Sequence, residues 1–421
     1  MTSRFRICWG IAAALAYAPA LCAAAPKTKL AAPKTKLAAS QIEINVQDYG
    51  ATGNGKEDDT SAFLKAVAAA RAGGLPLRVP RGKYSISKTI SVENVEIEGA
   101  ASGAWPADTD ALPSILDNVA GGPCFQMLQG GSLHGLDITY SRTRDASFKY
   151  AAVLVTGGGV YLSNLRIRYA YDGIAADGVH NVGRLNVENV FMVAVQHDGV
   201  RVTGTYDIPR LANVEVWNAG EDKVPLTSGV GFRLGRNDGM RLTDCFAFAM
   251  NTAYLFETTG LNAETQGLTE ASMNGCSSDY CSFGVKVNAA DWLSISGCFF
   301  WCHASALVVN APGAKVQVAG TLMRSNGAPC ILVQASNAVV VTGCDLTRPM
   351  KQFPGPGVLL TGGTTILSSN YIDAYGNGVE VAATVDSTNI NGNTLVARGG
   401  VGVAAAPGAK SFAANNAVVT K

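Results

Sequence analysis

Beyond residue 41 the apolar and polar positions do not fall into long helical stretches. They form short strand-like runs, two or three in each unit of about 23 residues. The first run of each unit carries an Asn, Cys or Gly at one recurring place, as in "LHGLDI", "LSNLRI", "VENVFM", "LANVEV", "LTDCFA", "SISGCF", "VTGCDL", "LSSNYI", "INGNTL" and "AANNAV". Taking that place as Gly135, Asn164, Asn189, Asn213, Cys245, Cys276, Cys298, Thr321, Cys344, Asn370, Asn393 and Asn416, the spacings are 29, 25, 24, 32, 31, 22, 23, 23, 26, 23 and 23 residues. A second run follows in most units, for example "DGIAADG", "DGVRVTG", "VGFRLG", "FGVKVNA" and "NGVEVAA".

Strands this short bury no face alone, but they do so when each pairs with its equivalent one unit away, ~4.8 Å distant. The pattern predicts an all-β solenoid, a single-stranded parallel β-helix of about 11–13 coils. The recurring Asn is expected to form an internal ladder, since Asn tolerates the left-handed turn conformation and bonds neighbouring backbone. Glycine and β-branched residues in every unit exclude helical repeats, and no unit has leucine-rich-repeat spacing.

The ends read differently. Arg4 and Arg6 precede an apolar run to Leu21 and then "CAAAP", so residues 1–25 are expected to be a secretory signal peptide. The tandem "APKTKLAAPKTKLAAS" makes 26–40 a linker. Residues 41–100 then form an amino-terminal cap with the first coils, and 101–421 the β-helix. The expected location is periplasmic or extracellular. A formal charge of +1 with no basic stripe argues against nucleic acid, and no later run is long enough for membrane insertion.

"DYGATGNGKEDDTSAFLKAVAAA" (48–70) packs glycines, carboxylates and an amphipathic helix together. A phosphate loop would need a "GK[ST]" ending, which is missing. Gly50, Gly53 and Gly55 suit tight turns, Asp59 or Thr60 suits the helix cap, and Phe63, Leu64, Val67 and Ala70 share a face. With "LRVPRGKYSISKTISV" and "NVEIEGA", the stretch resembles the amino-terminal signature of the pectate-lyase-like superfamily. The branch is that of rhamnogalacturonases, tailspike-type depolymerases and epimerase-like proteins. The resemblance implies a right-handed parallel β-helix whose first coil is plugged by the amino-terminal helix, and a protein that binds or acts on polysaccharide. Beyond this cap the polygalacturonase motifs "NTD", "DD" and "GHG" are missing; "RIR" at 166–168 only echoes "RIK".

Candidate chemistry therefore rests on position. Polar residues just after the first strand of successive coils should share one face: Asp172, His197, Asp198, Trp217, Glu221, Asp222, Asn251, Tyr254, Asp279, Tyr280, Trp301 and His303, with Arg324 one coil on. Asp172, His197, Asp198, Asp222 and Asp279 are the candidate acids and bases. Trp217, Glu221, Asn251, Tyr254, Tyr280, Trp301, His303 and Arg324 are candidate sugar contacts. The bland reading of Asp172 and Asp198, each followed by Gly, is a turn in which Asp bonds its own backbone. Glu221 and Asp222 fall in one of two long loops, 217–229 and 257–267, expected to wall a groove.

"CSSDYC" and "CFFWC" suggest a zinc site or a Cys281–Cys302 disulfide, but Cys245, Cys276, Cys298 and Cys344 share the repeat position, so stacked buried thiols suffice. The final coil lacks a polar closing segment, which suggests homo-oligomerisation, with the trimer familiar in the superfamily as the form implied. The expected function is a polysaccharide hydrolase or lyase, with a binding scaffold or an exopolysaccharide epimerase or transferase as alternatives. No cofactor is required, and Ca2+ is expected only for a lyase.

Overall fold

The computed structural model describes residues 42–99, 113–140, 149–218, 228–258 and 269–420. The expected signal peptide and linker lie outside the described residues, as do Glu221, Asp222 and most of both long loops. The described chain is a right-handed parallel β-solenoid of about 13 turns. Strands pair in parallel with their equivalents on neighbouring coils, on both sides except at the two ends. Among the described residues no helix is long and apolar enough to cross a membrane.

One coil shows how the residues make the shape. Strand Asn186–Val193 lies between Tyr161–Arg168 and Arg210–Trp217, with Val190 against Leu165 and Val214. Its middle residue, Asn189, has φ 52° and bends the strand from one face of the solenoid to the next. Ala194, at φ 54°, makes the following corner, beyond which Asp198–Val202 forms another face. Asn164 and Asn213 repeat the first bend, and Tyr169, Ala249 and Tyr280 the second.

The ladders differ from the single internal one expected. Asn164, Asn189 and Asn213 occupy the bend itself and stack outside, with Asn213 Nδ2 donating to Asn189 Oδ1 at 2.9 Å. Thr243 pairs with Ala212, so Asp244, not Cys245, is the equivalent of Asn213. Cys245, Cys276, Cys298, Thr321, Cys344, Asn370 and Asn393 sit one place later, in the interior. There Asn370 Nδ2 donates to Asn393 Oδ1 at 3.0 Å and to the Val341 carbonyl. Asn393 Nδ2 in turn reaches Asn416 Oδ1 at 3.0 Å. Sequence spacing alone conceals this one-residue step, because the bend residue passes from Asn to Asp or Gly midway along the chain.

The interior is a column of aliphatic and aromatic side chains, each worth ~1.5–3 kcal/mol when fully buried. Tyr254, expected to contact sugar, belongs to this column. It is fully buried, stacks on Phe232 at 4.9 Å and donates its hydroxyl to the Cys245 and Ser277 carbonyls. The alternation along strand Met250–Phe256 aims it inward, so it is a core residue. All eight cysteines of the described residues are buried free thiols. Cys281 and Cys302 are partners in register yet unbonded, so the disulfide expectation is not met. Burial pushes the Cys281 thiol up to about 12, which disfavours the thiolate that zinc needs.

Helix Thr60–Gly73 covers the first coil. It buries Ala62, Phe63, Ala66, Val67 and Ala70, with Phe63 edge-on to Tyr84 at 5.5 Å. Leu64, expected on that face, is 42% exposed instead. Asp58 Oδ1 accepts the Thr60 amide at 3.0 Å, and Asp59 Oδ1 accepts the Thr52 amide at 2.7 Å. Gly53 has φ 62°, and a Cβ there would lie 2.9 Å from the Tyr84 ring. The carboxylate-rich opening stretch is therefore architecture.

Candidate active site

Two stacked corners carry the site. The turn Val195–Asp198 lies on Ala170–Asp172 of the preceding coil, with the His197 amide donating to the Tyr171 carbonyl at 2.9 Å. Asp172 and Asp198 open the strands Asp172–Ala176 and Asp198–Val202. The glycine after each is demanded by packing: a Cβ on Gly173 would meet Met192 and the Gly199 carbonyl, and one on Gly199 would meet Val216 and the Gly231 carbonyl. Asp172 does not bond its own backbone, as a plain turn would require. Its Oδ1 accepts the Asp198 amide at 3.0 Å and faces His197 Nδ1 at 2.9 Å, both one coil away.

His197 is thus held by two carboxylates, with Asp198 Oδ2 3.4 Å from the same nitrogen. Its ring stacks on Tyr171 with centroids 5.0 Å apart and planes 13° from parallel, and its side chain is 43% exposed. With Nδ1 turned to Asp172, Nε2 is the nitrogen left for chemistry. Gly229, two residues after the undescribed 219–227, receives no side chain there because a Cβ would lie 2.3 Å from the His197 carbonyl. Asp198 is fully buried; its Oδ2 accepts Arg233 Nε at 2.8 Å, while Oδ1 has no partner.

Arginines complete the charge balance. Arg201 Nη2 lies 3.4 Å from Asp172 Oδ2, and Arg233 Nη1 reaches Glu257 Oε1 at 2.7 Å. The hydrogen bond that His197 Nδ1 donates to Asp172 raises the His197 pKa, with burial opposing and the Asp198 and Asp172 charges adding. Burial raises the Asp198 pKa, against the Arg233 contact. Burial and the two neighbouring carboxylates raise the Tyr171 hydroxyl. Asp172, His197 and Asp198 are, among the described residues, the one group of three whose ligand atoms lie within 4.8 Å of one another. Their oxygens, however, already face the Arg201 and Arg233 guanidiniums, which supply the positive charge a metal would bring.

A strip of rings leads away from this cluster. Phe191 meets Trp217 at 6.1 Å, Trp217 meets Phe248 at 5.1 Å, Phe248 meets Tyr280 at 6.0 Å, and Tyr280 meets His303 at 4.5 Å. Each step crosses to the next coil. Arg324 lies over the Trp301 ring at 5.0 Å, further along the same side. Asn251 is exposed at the corner two coils beyond His197. Asp279 does not join the cluster: it pairs with Phe248, which pairs with Trp217, which pairs with Val193, placing it three coils from His197, ~14 Å along the axis. Its Oδ1 is buried without a partner.

Tyr171, Arg201, Arg233, Glu257 and Phe248 were not foreseen. The signal existed in the aligned "DGVRV" and "VGFRL", whose fourth residues are Arg201 and Arg233, but their reach back to the previous coil's carboxylate is a tertiary fact.

Comparison with known proteins agrees with the fold. Residues 43–119 match the family described as rhamnogalacturonase A/epimerase, pectate lyase-like. Over 80 residues, 19% of this chain, it is 38% identical to a pre-neck appendage protein of Bacillus phage B103. Over 71 residues, 15% of this chain, it is 42% identical to alginate lyase 7 of Azotobacter vinelandii. Each match spans only 8% of the relative's own length. Among solved structures, the A-module of the Azotobacter vinelandii mannuronan C-5 epimerase AlgE6 superposes with a TM-score of 0.57 at 16% identity, covering 89% of this chain and 99% of that one. The catalytic unit of a GH87 α-1,3-glucanase from Streptomyces thermodiastaticus gives 0.61 at 16% identity, covering 90% and 69%. At such identities the likeness is one of fold. Residues 43–119 are thus similar to the rhamnogalacturonase A/epimerase, pectate lyase-like family, and the described coils share the parallel β-helix fold of the solved neighbours.

Proposed function

We propose that this protein is a secreted polysaccharide lyase that removes a proton at His197 and cleaves a uronate-containing polymer. The observation that carries the reading is the pairing of an exposed, carboxylate-held imidazole with a stacked tyrosine. A hydrolase needs two carboxyl groups that both reach the glycosidic bond. Asp198 is fully buried and Asp172 nearly so, each beside a guanidinium, so neither is placed for that work. They serve the imidazole instead.

In elimination, neutral His197 takes the C5 proton through Nε2, and the electrons form the C4–C5 double bond as the C4–O4 bond breaks. Tyr171, next to the imidazole, gives its proton to the departing O4. Arg201, 36% exposed and only loosely held by Asp172, faces the carboxylate of the uronate and offsets the charge that develops there. The strip from Phe191 to Tyr280 offers ring faces for successive sugars. The activities named for relatives, an alginate lyase and a mannuronan epimerase among them, accord with uronate chemistry. Secretion follows from the expected signal peptide, and homo-oligomerisation is checked by light scattering, where a concentration-independent monomer counts against it.

The test is a panel of neutral and uronate polysaccharides with purified protein, with and without Ca2+, followed by new reducing ends and by absorbance of unsaturated product. Both signals together support the lyase. Reducing ends without absorbance mean a hydrolase and overturn the roles given to His197 and Tyr171. Retardation in an affinity gel without turnover means a binding scaffold.

A further inference from the structure

Behind the imidazole runs a chain of charged groups that crosses four successive coils. Asp172 and His197 occupy the first two. Arg233, on strand Ser228–Leu234 of the third, turns Nε to Asp198 at 2.8 Å and Nη1 to Glu257 at 2.7 Å. Glu257 follows strand Met250–Phe256 of the fourth, and its amide donates to the Leu234 carbonyl at 3.0 Å, which fixes its backbone beside the arginine strand. The guanidinium is therefore shared between two carboxylates of opposite circumstance. Asp198 is fully buried with one oxygen bare, whereas the side chain of Glu257 is 24% exposed.

We propose that Glu257 is a positioning residue for His197, acting through the forked Arg233 to hold the buried Asp198 ionised and aimed at the imidazole. This rests on the lyase reading for its purpose, but its physical content does not depend on it. A buried carboxylate with a bare oxygen is costly unless a charge partner is fixed in place. Arg233 is such a partner only while its other edge is anchored, because a guanidinium on a flexible stem otherwise leaves the bidentate geometry. Glu257 supplies the anchor and also tempers the positive charge that Arg233 presents to the imidazole. The groups acting on His197 are Asp172 and Tyr171 from the coil before, Asp198 from its own coil and Arg233 from the coil beyond, with Arg201 held against Asp172 and Glu257 against Arg233. Asp172 and Asp198 lie 2.9 and 3.4 Å from Nδ1, well inside a Debye length and shielded from water, so salt screens little of their coupling to the imidazole.

The experiment is an NMR titration of the His197 imidazole in the full chain, comparing wild type with Glu257→Gln, Arg233→Lys and the double variant. Glu257→Gln keeps an oxygen acceptor and the shape but removes the charge. Its His197 midpoint is expected to move to lower pH, and the acid limb of the pH–rate profile to move with it. Arg233→Lys keeps the charge but cannot bridge two carboxylates, so the further shift caused by Glu257→Gln should shrink in that background. Equal midpoints in wild type and Glu257→Gln overturn the proposal. An undiminished shift in the Arg233→Lys background also overturns it, because the coupling would then pass through space and not through the fork. A shifted midpoint without unsaturated product from any polymer leaves the brace standing and removes the lyase.

Discussion

Asp172 Oδ1 lies 2.9 Å from His197 Nδ1 and 3.0 Å from the Asp198 amide, although 25 and 26 residues separate them in the chain. One carboxylate thus orients the imidazole and pins the corner that carries it. The relationship exists because parallel stacking brings equivalent corners to the inter-strand distance.

Replacing Asp172 by Asn should cut kcat on a uronate polymer by about 10²-fold, the scale of a misoriented general base. The acid limb of the pH–rate profile should also move down, because the bond that raises the His197 pKa is lost. Initial rates across pH check both.

Tyr171→Phe preserves the ring stacked on His197 and removes only the proton. Turnover should fall by about 10²–10³-fold with KM little changed, as for a group that acts in the transition state alone. A proportionate rise in KM instead would assign Tyr171 to binding.

The raised pKa of His197 makes a stability prediction with a definite sign. Its folded value exceeds its unfolded one, so its contribution is fully present below the ordinary histidine pKa and is lost as pH rises through the folded value. Denaturant midpoints measured across that window should fall less steeply in His197→Gln than in wild type. Burial likewise raises Asp198. Stability therefore also declines as pH rises from the ordinary aspartate value through the folded one, and Asp198→Asn should flatten that lower segment.

Tyr254→Phe keeps the interior stack on Phe232 and removes a hydroxyl that serves two carbonyls. The loss should be about 1–3 kcal/mol in chemical denaturation, with activity unchanged. Tyr254→Ala should cost about 3–5 kcal/mol through the cavity.

Trp217→Ala should raise KM on long polymers by about tenfold, the ~1–1.5 kcal/mol of one stacking contact, while leaving kcat nearly intact. Phe248→Ala should behave alike, since the two rings meet at 5.1 Å.

By itself the sequence determined the solenoid. A repeat near 23 residues, with β-branched runs and turn formers, leaves stacking of coils as the one way to bury its faces. It also pointed to the capping helix, whose glycines and amphipathic face are local properties, and to the neighbourhood of Asp172, His197 and Asp198. Tertiary structure decided the rest. Tyr254 and Tyr280 looked alike, yet strand alternation aims the first into the core and a left-handed corner leaves the second 43% exposed. The Asn and Cys positions looked like one ladder, yet a one-residue step in register makes two. Arg233 looked like an ordinary strand residue, and only stacking brings it to a carboxylate 35 residues earlier. The physical reason is common to all three. Spacing along a chain reports period, whereas the direction of a side chain and its partner on the next coil depend on register, and register is set by every coil packed above and below.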